Sequence, residues 1–131
     1  MKKILVVVSF LMAAVSFQAN AAPYNLGTIS DFETFGGYLT KDNGYTETWN
    51  FNVLYQSVVS ASATSTASIF KGKIVGKVKD FSATLDGMSL NLATLGNAQL
   101  LSIDNLLASV GDHTLVISGS SEGSYGGSIA V

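Results

Sequence analysis

The sequence predicts an all-β protein: an antiparallel β-sandwich, jelly-roll-like, of about seven to nine strands following a cleaved signal peptide. Three observations predict it. Strand-favouring residues alternate with polar ones at period two through several short segments. Asn-Gly and Asp-Gly dipeptides, which tolerate the positive φ of tight turns, separate those segments. Helical spacing is confined to one stretch, residues 97–111.

At the start of the chain, Lys2 and Lys3 precede an apolar run from Ile4 to Phe17, and Ala19-Asn20-Ala21 follows. This is the layout of a secretory signal with cleavage after Ala21, so residues 1–21 are expected to be removed and 22–131 to form one β-sandwich domain. The run is shorter than the ~20 residues that span a bilayer. The alternative is a retained N-terminal anchor; with cleavage, no membrane span is expected. Cysteine is absent, which excludes a lipid anchor and leaves stability to packing. Loss of Lys2 and Lys3 takes the formal charge from −2 to −4, and the chain has no arginine. That balance argues against nucleic acid, whose phosphates require basic patches.

The elements follow in order. Asp42-Asn43-Gly44 signals a turn. In residues 45–55, Trp49, Phe51 and Val53 share one face, and Thr46, Thr48, Asn50 and Asn52 share the other, which predicts a half-buried strand with Trp49 in the core. Residues 57–68, small and hydroxyl-rich, suit a closely packed strand or, alternatively, a flexible linker. Lys71, Lys73, Lys77 and Lys79 form the cationic cluster, read as an edge strand blunted by charge or as a patch for acidic polysaccharide. Phe81, Ala83 and Leu85 alternate up to the turn Asp86-Gly87, and Met88, Leu90 and Leu92 alternate after it. Residues 97–111 fit a helix capped by Gly111, or a strand, a turn at Asp104-Asn105 and a second short strand; the density of strand signals elsewhere favours the second. Residues 112–119 place His113 in line with Leu115 and Ile117. Paired with residues 126–131, they are expected to form a closing hairpin, with Gly126-Gly127 permitting a bulge and Val131 completing the sheet.

The end of the chain resembles a group of exported bacterial β-sandwich proteins, in which a GxYTLxVSG strand precedes a GxYxGxxxV strand. Gly111, Thr114, Leu115, Ser118 and Gly119 match the first, with His113 in the tyrosine position; Tyr125, Gly127 and Val131 match the second. Tyr45, Glu47 and Trp49, followed by Phe51, resemble a diverged F-x-D-x-F motif. The chain is thus similar to FxDxF-type PEP-CTERM proteins, and more distantly to the bacterial pre-peptidase C-terminal domain. The resemblance implies the fold and an exported setting: periplasm, cell surface or medium. Such proteins continue into a Pro-Glu-Pro box, an apolar helix and a basic cluster. The given sequence stops at Val131 and its one proline is Pro23, so anchoring by that route is not implied.

Candidate chemistry is sparse, and neither catalytic residues nor a cofactor are expected. His113 is the single histidine, which rules out a His cluster for metal. Asp112 and His113 with a serine would make a triad only if Asp112 could orient the imidazole, and adjacent strand residues point to opposite faces. Asp31, Glu33 and Glu47 could supply paired carboxylates for glycoside hydrolysis, or simply turn and surface polarity. Asp42 and Asn43 are weak calcium candidates, lacking the repeated acidic spacing of a dedicated loop. Tyr38, Tyr45 and Tyr55 could contact glycan. Three classes remain: a secreted or cell-surface structural module associated with extracellular polysaccharide or other surface proteins, a carbohydrate-binding domain, and a small hydrolase whose polar constellation is missing.

Overall fold

The computed structural model describes residues 23–66, 68–70, 73–75, 78–96 and 98–131, with backbone alone for 68–70 and 73–75. The segment expected to be a signal peptide, residues 1–21, and Lys71 and Lys77 of the cationic cluster lie outside the described residues. Among the described residues twelve strands follow one another: β1 (Tyr24–Thr28), β2 (Phe32–Leu39), β3 (Thr46–Val53), β4 (Ser57–Thr66), β5 (Ser68–Phe70), β6 (Lys73–Val75), β7 (Ser82–Leu85), β8 (Met88–Ser89), β9 (Asn91–Leu95), β10 (Ala98–Ala108), β11 (Gly111–Ser118) and β12 (Gly123–Ala130). Among the described residues there is no helix, and so none long and apolar enough to cross a membrane.

Ten strands form two five-stranded sheets, β1-β3-β11-β7-β8 and β2-β12-β4-β10-β9, and β5-β6 is a separate hairpin. All pairings are antiparallel except β1 with β3, which is parallel. The sheets exceed the expected strand number because β1 and β2, whose glycines interrupt alternation, left no period-two signature, and the alternating stretch from Met88 is divided between β8 and β9 in different sheets. The inward faces supply the core: Trp49, Phe51, Val53, Phe81, Leu85, Leu115 and Ile117 from the first sheet, and Phe35, Leu39, Val59, Leu101, Tyr125 and Ile129 from the second. Aromatic contacts join the layers, with Phe35 5.3 Å from Trp49 and Phe81 6.3 Å from Tyr125 between ring centroids. Residues 57–66 are a central strand, and the small buried side chains of Ala61 and Ala63 face the core.

Several sequence expectations are corrected. β11 and β12 do not form a hairpin: β11 lies between β3 and β7, and β12 lies between β2 and β4 in the other sheet. The connection after Ser118 therefore crosses the sandwich, a route that strand patterns alone do not distinguish from a hairpin. Gly126-Gly127 forms no bulge, since β12 keeps register with both neighbours. Gly127 serves close approach instead, because a Cβ there would collide with the Ser62 carbonyl oxygen and crowd Phe35. Residues 98–108 are one strand, and the expected turn at Asp104-Asn105 is an irregularity within it, with Asn105 at φ +58°. Met88, Leu90 and Leu92 do not share a face. The chain changes sheets at Leu90, which is buried while Met88 and Leu92 are exposed.

The end of the described chain is held. Ser128, Ile129 and Ala130 pair on both sides, and the Val131 amide donates to the Asp31 carbonyl at 2.7 Å.

Candidate functional site

Among the described residues, the buried side chains that carry an acid or a base are Glu47 and His113. Glu47 sits two residues before Trp49, so strand parity carries it inward with Trp49, Phe51 and Val53. The expectation of turn or surface polarity for Glu47 is corrected accordingly. Three donors converge on its carboxylate: the Tyr125 hydroxyl at 2.5 Å on Oε1, and the Tyr24 hydroxyl at 3.0 Å and Asn43 Nδ2 at 3.3 Å on Oε2. Trp49 Nε1–H donates to the Tyr125 oxygen at 2.8 Å. Gly37 backs onto the same carboxylate, and any side chain there would collide with it. β1, β12 and the turn after β2 are thereby tied through neutral donors to one buried acid on β3, and β2 packs against it at Gly37. Burial and the adjacent Glu47 carboxylate both raise the Tyr125 pKa, and the Tyr24 pKa is raised chiefly by its bond to Glu47. Both phenols accordingly stay protonated donors around neutral pH.

His113 is the second buried group. Its partner is Asp86, in the β7–β8 turn, at 2.5 Å from Nδ1; Nε2 faces the Ser109 carbonyl at 2.7 Å. Both facing atoms are acceptors, so the imidazolium, with an N–H on each nitrogen, satisfies the site. Desolvation lowers the His113 pKa, but the Asp86 carboxylate, the Ser109 carbonyl and the Asp112 charge together raise it above the ordinary histidine value. Asp86 Oδ1 also accepts the Thr114 amide at 2.9 Å. The expected role of His113 as an ordinary strand-start residue is thus replaced by a bridge between the β7–β8 turn and the β10–β11 connection. As expected, Asp112 points away; its carboxylate accepts from Asn52 Nδ2 at 3.1 Å. No triad forms on His113, because the nitrogen that would take a nucleophile's proton is held by a carbonyl.

A pH dependence follows. The folded-state pKa of His113 lies above the unfolded value near 6.5, so its contribution to stability is fully present below about pH 6.5 and is lost as pH rises through the folded value. The melting temperature is expected to fall across that range, and His113→Gln is expected to flatten the fall. Parallel pH profiles for both proteins would refute this assignment.

The remaining sequence candidates are dispersed. Asn43 is buried in its turn, and its Oδ1 accepts the Thr40 amide at 2.9 Å, leaving Asp42 alone and exposed beside it. No group of three or more His, Cys, Asp or Glu that could hold a metal occurs among the described residues. Glu33 is exposed on β2, four residues or roughly 13 Å from Gly37 and hence from the Glu47 carboxylate, too far for paired-carboxylate hydrolysis. Asp31 lies in the bend before β2. Tyr45 falls in the turn at φ +57°, outside the strand in which alternation placed it. Tyr55 follows β3, so the eight residues of that strand, about 26 Å, separate it from Tyr45. Tyr38 and Tyr55 are exposed, but the three tyrosines form no single platform. Of the carboxy-terminal motif, Leu115 and Tyr125 are core residues, Gly111 opens β11 at φ +119°, and Ser118 closes it. The Gly119 amide donates to the Tyr45 carbonyl at 3.0 Å.

The outward face of the first sheet carries a further polar cluster. A concavity of about 230 Å³ is lined by Asn25, Asn50, Phe51, Asp112 and Thr114. Strand alternation shows Asn50, Asp112 and Thr114 as solvent-side polar residues, but their convergence with Asn25 depends on the pairing of β1, β3 and β11.

No family model matches the sequence, and no curated protein does. Among solved structures, the chain is similar to the pre-peptidase C-terminal domain of a collagenase from Bacillus anthracis, determined at 1.0 Å. The two share 15% identity over 86% of this chain and 99% of that one, with a TM-score of 0.57. At that identity the likeness is one of architecture: the chain has the β-sandwich fold of that domain.

Proposed function

We propose that this chain is an exported, non-catalytic β-sandwich module of the cell surface or extracellular matrix, associated with exopolysaccharide and akin to FxDxF-type PEP-CTERM proteins. The observation that carries the non-catalytic reading is the commitment of Glu47 and His113. Every oxygen of the first and both nitrogens of the second are bonded within the fold. A general acid or base needs an atom free to exchange a proton with substrate, and neither residue presents one. The family motif fits the same view, since Glu47, Trp49 and Tyr125 act together as an internal brace. Export is supported by Lys2, Lys3, the apolar run and the Ala19-x-Ala21 site.

The test combines fractionation with chemistry. Protein recovered outside the inner membrane is expected to begin at Ala22 by N-terminal sequencing and to co-fractionate with extracellular polysaccharide; retention in the cytoplasm with Met1 intact would overturn the export reading. The purified protein is expected to leave chromogenic glycosides and esters unchanged. Turnover that disappears in His113→Gln or Glu47→Gln would overturn the non-catalytic one.

A further inference from the structure

We propose that the concavity on the outward face of the first sheet is a binding site for a neutral saccharide, with Asn50 at its centre and Asn25, Thr114 and Asp112 around it. The inference deepens, and rests on, the reading of the chain as a non-catalytic surface module.

The first observation is a conflict between residue type and position. Asn is depleted in strands, yet β3, flanked on both sides by β1 and β11, carries Asn50 and Asn52 on its solvent face. Local rules broken in the middle of a sheet are the places where function is expected. The second observation is shape. β1 and β3 lose register between Asn25 and Thr28, where three steps on β1 match two on β3, with Gly27 at φ +75°. Such a bulge re-aims side chains and opens the sheet surface, here beside Asn50.

The third observation is how the side chains are held. Asn50 Oδ1 accepts the Thr114 hydroxyl at 3.1 Å, and Asn25 Oδ1 accepts the Gly27 amide at 2.8 Å. Asn52 stands between Thr28 and Asp112, accepting from the first at 3.5 Å and donating to Asp112 Oδ1 at 3.1 Å. Asn25, Asn50 and Asp112 are therefore each fixed at one end and open at the other. The Nδ2 groups of Asn50 and Asn25 and the Asp112 Oδ2 have no partner among the described residues. Two amide donors and a carboxylate acceptor, pre-positioned in one concavity, match neighbouring hydroxyls that each donate and accept.

Charge selects the class. The one ionic group in the concavity is an acid and no lysine lines it, so an acidic polysaccharide is repelled and a neutral one is not. The volume lies below the ~300–1,000 Å³ of clefts that enclose drug-sized ligands, so the site grips part of a longer chain rather than engulfing it.

The test is native affinity electrophoresis of the protein in gels containing dextran, galactomannan, xyloglucan or, as the acidic comparison, alginate. At least one neutral polysaccharide is expected to retard the protein and alginate is not. Asn50→Ala and Asp112→Ala are expected to weaken that retardation about tenfold or more with melting temperatures close to the parent. Leu95→Ala, exposed on β9 at the edge of the second sheet, is expected to leave it intact. Retardation by none of the neutral gels, by alginate alone, or equally in Asn50→Ala and the parent would each overturn the site. A protein that is exported and inert toward substrates but fails here loses the saccharide site, while the proposed module function stands.

Discussion

Removal of Ser128 to Val131 is expected to leave a protein that does not reach a stable folded state. These residues belong to the middle of a sheet: β12 lies between β2 and β4, and Ser128, Ile129 and Ala130 are paired with both. Ile129 is fully buried, and losing it alone corresponds to about 2–5 kcal/mol on the scale of large-to-small core changes. The whole stability of a small domain is about 5–15 kcal/mol, and the deletion also leaves Phe32–Thr34 and Ser60–Ser62 facing a gap without ladder partners. Two open strand edges then invite pairing with other chains. Soluble yield and thermal melting by circular dichroism measure the outcome. A shortened protein that stays soluble and melts as the parent does would remove the central place assigned to these residues.

Trp49→Ala is expected to cost roughly 3–5 kcal/mol, the range for emptying a large aromatic site in a core. The indole stacks on Tyr24 at 4.5 Å, meets Phe35 at 5.3 Å across the sandwich, and donates its N–H to Tyr125 at 2.8 Å. Trp49→Phe separates these contributions. It keeps most of the ring burial and removes the N–H, while Tyr125 still donates to Glu47, so a cost of about 1–2 kcal/mol is expected. Urea unfolding gives both values, and the single tryptophan provides the signal. Its native emission is expected at the wavelength of a buried indole, shifting to the red on unfolding; a native spectrum typical of full water exposure would contradict the core placement.

The all-β sandwich was legible because β3, β7 and β11 obey strict alternation, and because Asp42-Asn43-Gly44 and Asp86-Gly87 are turns in the structure as in the sequence. Sheet membership was not legible. Whether the chain after Ser118 folds back or crosses the sandwich depends on partners far away in sequence, β2 and β4, and nothing local encodes it. The site was half legible. Parity in β3 already placed Glu47 with Trp49, and residue type argued against burying it. The donors that make its burial tolerable, Tyr24, Asn43 and Tyr125, come from three separate segments and converge only in the fold. Likewise Asp112 was rightly separated from His113, but Asp86, its true partner, stood unnoticed in a turn that was recognised only as a turn.

The interior positions of β11 and β12 bear on the order of folding. Each is among the last strands in the sequence, yet each fills the interior of its sheet, and Ala130 pairs with Phe32 at nearly the opposite end of the described chain. Neither sheet can close while the last twenty or so residues are still absent, since β3 lacks β11 and β2 lacks β12. Loop-closure entropy then delays the transition state until the longest-range pairings form, which places this sandwich among slow, non-local folders. For the exported chain proposed above, the same delay keeps the polypeptide threadable through a translocation pore until its final strands have passed.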